Sequence, residues 1–131
     1  RYVIQDEARH VHYGVLALKR HFAELSASEL REREDWTFEV ACLMRDRFLA
    51  HEIYDEWFGA HLKRADWDRV MSESPFMLEF RQTMFKRLVP NLEYIGIFSP
   101  RIRAHYDKVG LTKYAGGRNA SELTAEDLLA A

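Results

Sequence analysis

The chain is short of almost everything that would mark it as secreted, membrane-embedded or nucleic-acid-binding. Its 131 residues include one cysteine, Cys42, so no internal disulfide can form. The apolar setting of that thiol, between Val40 and Met44, reads as a small core residue in a reducing compartment. No apolar run approaches the roughly 20 residues that cross a bilayer, and no charged-then-apolar leader precedes the first helical pattern. A formal charge of -2 gives no sign excess with which to attract nucleic acid or an anionic membrane. A cytoplasmic protein with neither partner is therefore expected. Three prolines and six glycines leave little to interrupt helices, and 47% hydrophobic residues exclude a disordered chain.

What is present is helical periodicity. Residues 2–24 hold no proline and read as one helix, on which Glu7, His10, Gly14, Ala17 and His21 share a face. Ser26 followed by Glu29 is a capping-box pattern, predicting a second helix that meets no breaker until Gly59. A short helix is expected at 67–71. Ser74-Pro75 predicts another to residue 89, which Pro90 should end or kink before the chain continues to Phe98. Ser99-Pro100 starts a short helix that should stop at Gly110. No alternating strand pattern occurs, so the fold class is all-α. Residues 1–115 form the expected domain, and 116–131 read as a flexible linker, through Gly116-Gly117, followed by a short helix.

Chemistry concentrates in Asp6-Glu7-Ala8-Arg9-His10. Side chains three apart on a helix have β-carbons about 5–6 Å apart, so Glu7 and His10 can reach one cation. A carboxylate with an imidazole suits iron, manganese or zinc. The competing reading is an ordinary helical surface pair. With Val11 and Gly14, the pentapeptide resembles the Asp-Glu-x-Arg-His segment of the ferritin-like di-iron carboxylate oxidoreductases. The rest of the chain resembles them only in being long-helical.

That resemblance implies a ferritin-like helical bundle and a two-iron centre, manganese being the alternative metal, that activates dioxygen against a small-molecule substrate. It implies Glu7 and His10 as metal ligands. Asp6 would orient the ligand histidine of the other half-site, and Arg9 would pair with an acidic residue there. A complete site takes a Glu from each of two helices and a Glu-x-x-His unit from each of two others. This sequence has one such unit, and it starts without Met inside a running helix. It therefore reads as the C-terminal portion of a larger bundle, inactive alone and completed by an N-terminal half or a partner chain. A homodimer would supply a second Glu7-His10 set and still lack two carboxylates. The alternative is a non-catalytic helical interaction module with Asp6 to His10 in a buried polar network.

Other features have plainer readings. His51-Glu52 with Asp55 and Glu56 is expected to be a solvated helix face, Tyr13 to pack with its hydroxyl satisfied, and the aromatic set from Trp36 to Phe85 to be core. Arg101, Arg103 and Lys108 make a basic turn facing solvent or a docking partner, and His105 has no partner legible in sequence.

Overall fold

A computed structural model describes residues 2–124, 126 and 127, with side chains from Arg9 onward. Among them the chain is all-helical: α1 Tyr2–Phe22, α2 Ala27–Arg47, α3 His51–Ile53, α4 Arg64–Glu73, α5 Pro75–Phe85, α6 Leu88–Ile95 and α7 Pro100–Lys108. A π-turn, Tyr54–Phe58, follows α3, and 3₁₀ turns occupy Thr112–Tyr114 and Ala120–Glu122. No helix is long and apolar enough to cross a membrane among the described residues.

Where local chemistry sets the boundaries, sequence and structure agree. The Ser26 N–H donates to Glu29 Oε2 at 2.9 Å while the Glu29 N–H donates to Ser26 Oγ at 3.3 Å, closing the capping box at the start of α2. Gly110, at φ +73°, ends α7.

Two boundaries differ from expectation. The second helix does not run to Gly59; it stops at Arg47, and Ala50 turns the chain at φ +48°. Distant side chains take over the carbonyls that further helix would have used. The Trp67 indole N–H donates to the Leu49 carbonyl at 2.6 Å, and Arg81 donates to that of Arg45 at 3.3 Å. The left-handed conformation costs an L-residue about 1–2 kcal/mol. Ala50→Gly, relieving it at some entropic cost, is therefore expected to stabilise the fold by about 0.5–1 kcal/mol, read as a higher urea midpoint at unchanged slope. Pro90 is the second difference. The break falls earlier, between Phe85 and Leu88, and Pro90 sits in the first turn of α6, where its missing N–H has no intrahelical role.

The core lies where α6 and α7 meet the flanks of α1, α2 and α5. Phe22, Phe85, Leu92, Ile95, Ile102, Tyr106, Leu111 and Tyr114 are all buried there. Phe38 and Phe98 meet the Tyr106 ring edge-on at 5.1 and 5.2 Å, and Phe48 meets Phe85 at 5.6 Å. Such edge-to-face pairs add about 0.5–1.5 kcal/mol each beyond area burial. The Tyr106 hydroxyl finds no hydrogen-bond partner among the described residues, and burial pushes its pKa up. Tyr106→Phe should therefore cost nothing and gain up to about 1 kcal/mol, since it removes an unsatisfied polar group and keeps the ring. A loss above about 1 kcal/mol in chemical denaturation would mean that the hydroxyl has a partner.

Two buried charged groups clamp the helices together. Arg81, 4% exposed, donates to the Arg45 carbonyl in the last turn of α2 and, at 3.4 Å, to the Met71 carbonyl in the last turn of α4. Its cation therefore sits at the negative ends of two helices. Glu34, 5% exposed, faces the opposite kind of terminus: the Ser99 N–H at the start of α7 donates to its Oε1 at 2.8 Å, and Arg101 to its Oε2 at 2.8 Å.

The stretch read as a linker is anchored. The Gly116 N–H donates to the Lys86 carbonyl at 2.9 Å, the Ala120 N–H to Asn91 Oδ1 at 2.7 Å, and Gln82 Nε2 to the Tyr114 carbonyl at 3.0 Å. Thr124 and Asp127 hydrogen-bond as a cap, with the Thr124 N–H donating to Asp127 Oδ2 at 2.8 Å. Most of the expected terminal helix lies outside the described residues.

Candidate metal-ligand helix

Helix α1 lies against α6 and the Ala120–Glu122 turn. Val15 and Phe22 are buried on its packed face. His12 Nδ1 lies 3.3 Å from the Ala120 carbonyl, which can only accept, so Nδ1 carries the proton there. Lys19 Nζ sits 3.8 Å from the centre of the Tyr94 ring, extending the packed face by a cation–π contact.

At 3.6 residues per turn, His10, Ala17 and His21 lie on the far side of α1 from that face. His10, Ala17 and His21 are exposed accordingly, as is Arg9. The helix backbone runs through Asp6 and Glu7, whose side chains lie outside the described residues. The structure thus places the motif on a continuous helix, with Arg9 and His10 exposed. Val11 and Leu18 flank these residues and are exposed, and Tyr13, expected to pack, is 75% exposed.

The donor chemistry of Glu7 with His10 fits iron or manganese, whereas the number of donors falls short of a centre. Among the described residues no group of three His, Cys, Asp or Glu side chains could hold a metal ion. The cluster beyond α2 does not make up the difference, because His51, Glu52 and Asp55 are each engaged by another side chain. His51 Nε2 lies 2.6 Å from Asp68, Glu52 pairs with Arg47, and Arg64 donates to Asp55 at 2.6 Å.

The remaining candidates resolve into structural roles. Arg101 of the basic turn pairs with Glu34 and Asp35, and Arg103 with Glu93. His105 Nδ1 donates to the Arg101 carbonyl at 3.0 Å, with its ring edge-on to Phe38. Phe48 and Phe85 belong to the core as expected; Trp36, Trp57 and Phe76 do not, Trp57 being 72% and Phe76 73% exposed. Sequence reasoning missed Glu34 and Arg81, whose partners lie on elements far along the chain. The signal available was weak: Arg81 is a charge on a half-apolar stretch, whereas Glu34 is hidden in the charged run 31–35.

No family model matches the chain, and neither a curated protein nor a solved structure matches it.

Proposed function

We propose that Glu7 and His10 are one half-set of ligands to a di-iron centre in a ferritin-like oxidoreductase, the other ligands coming from helices that pack on the motif side of α1. The observation that carries the reading is the register of α1. It sets a carboxylate residue and an imidazole residue three apart on one unbroken helix, with His10 on an exposed stretch of it. The bundle is then completed by another segment or a partner chain, and the 131 residues alone have no oxygenase activity. A di-iron centre of this kind supplies dioxygen activation. This chain's own contribution is to hold one carboxylate and one nitrogen donor in fixed register, with Asp6 and Arg9 positioned by the same helix toward groups of the other half-site.

The test is iron content. The protein isolated from iron-replete cells together with whatever completes its bundle should carry iron, and Glu7→Ala and His10→Ala should each remove most of it. Unchanged iron in both variants would end the assignment. The second reading, a non-catalytic helical interaction module, draws on the exposed Trp36, Leu43, Trp57 and Phe76, large apolar groups that a partner helix would cover. It predicts partner binding with no bound iron.

A further inference from the structure

The pocket between the α5–α6 junction and the loop after Tyr114 departs in charge from the rest of the molecule. Its volume is about 380 Å³, and Lys86, Arg87, Gly116, Gly117, Arg118 and Asp127 contribute to its lining. Three cations face one carboxylate there, a local net charge of +2 in a chain whose total is -2. Arg118 pairs with Asp127. Lys86 and Arg87, both half-buried, pair with no carboxylate among the described residues. Two adjacent like charges, partly withdrawn from water and without counter-ions, repel each other and raise the energy of the empty site.

The backbone beside them is fixed. The Gly116 N–H is bound to the Lys86 carbonyl, which ties the glycine loop to the same residues that carry the charge. Gly117, at φ +84°, takes a conformation that costs glycine little, and its missing side chain leaves the wall open. An anion entering here meets two cations that lack partners and a third, Arg118, already oriented by Asp127. The +2 of the lining matches a phosphomonoester, which carries about -1.5 to -2 at pH 7 and offers three acceptor oxygens. The pocket volume falls within the range of small-molecule sites, above what a bare phosphate fills.

We propose that this pocket binds a phosphomonoester dianion, held by Lys86, Arg87 and Arg118. The site is distinct from the motif on α1 and does not depend on the iron reading.

Calorimetric titration of the chain with inorganic phosphate at low ionic strength tests it. Binding at pH 7.5 should weaken at least about threefold at pH 5.5, because phosphate takes up a proton across that range and the lining recognises the dianion. Sulfate, doubly charged at both values, should bind without that dependence. The double variant Lys86→Gln/Arg87→Gln should lose at least about tenfold in phosphate affinity, through two charge-assisted hydrogen bonds. Since neither cation pairs with a carboxylate among the described residues and the two repel each other, its melting temperature should be unchanged or higher. Should the double variant fail to fold, Arg118→Gln, at an exposed position, should still weaken binding about threefold. Glycerol phosphate binding at least about threefold tighter than phosphate would assign the site to an organic ester, and equal binding to free phosphate. Absence of phosphate binding, affinity unaltered in the folded variants, or the same pH dependence with sulfate would overturn the proposal.

Discussion

Glu34→Ala should be among the most destabilising single replacements in the molecule, lowering stability by about 2–3 kcal/mol. The carboxylate is buried between α2 and α7 and accepts two hydrogen bonds. One comes from the Ser99 N–H, at a helix start where Ser99 makes no side-chain cap of its own. Glu34 therefore caps α7 from another helix and neutralises the positive end of its dipole. The other comes from Arg101, which keeps Asp35 at 2.6 Å, so the loss stays below the 3–5 kcal/mol typical of a fully stranded buried charge. For a chain of this size the replacement corresponds to a fall in melting temperature on the order of 10 °C.

The pH dependence gives the same group a signature that generic core damage lacks. Burial alone would raise the Glu34 pKa, but the hydrogen bonds from Ser99 and Arg101, with the Arg101 charge, outweigh it and hold the pKa below its ordinary 4.5. A depressed folded-state pKa means that the contribution is complete above the unfolded value and is lost as pH falls through the folded one. The stability gap between the wild type and Glu34→Gln, which keeps an acceptor for Ser99 but no charge, should thus be constant from pH 7 to about 5 and narrow below 4.5. A gap that stays constant down to pH 3 would mean that the charge of Glu34 contributes nothing.

Glu34 also shows which parts of this fold can be read along the chain. The capping box at Ser26 and Glu29 and the stop at Gly110 are local: donor, acceptor or permissive backbone lie within a few residues, and each falls where the sequence puts it. The break at Ala50 is not local. Nothing near it opposes a helix, and it exists because Trp67 and Arg81 claim the carbonyls at the end of α2. Pro90 shows the converse, a strong local breaker tolerated because the helix boundary had already moved upstream of it.

The α1 motif divides the same way. Its helical register is local and legible, and the backbone of α1 passes through Glu7 and His10 without interruption. That His10 is exposed follows from which side of α1 meets α6, which only the tertiary packing decides. The mates of a metal site come from other helices, and among the described residues no group of three donors could hold a metal ion.

The second large effect concerns that motif. On the proposed ligand assignment, Glu7→Ala and His10→Ala should each reduce iron bound by the completed protein at least tenfold, because each would delete an entire ligand where even loss of an outer-shell partner typically costs about 10–100-fold. Asp6→Ala, removing only an orienting carboxylate, should fall within that smaller range. His10→Ala should leave the fold intact, since His10 is exposed. Surface changes of this kind usually stay within about 0.5 kcal/mol. This separates loss of metal from loss of structure: iron should disappear while the helical signal and melting temperature persist.

The most direct measurement is the iron-to-protein ratio, by elemental analysis, of the tagged chain recovered natively with its bundle partners from iron-replete cells, beside the same preparation of His10→Ala. The account predicts iron in the first and near-background iron in the second, with the same partners recovered in both. Equal iron in the two preparations, or none in either while the partners co-purify, would contradict it.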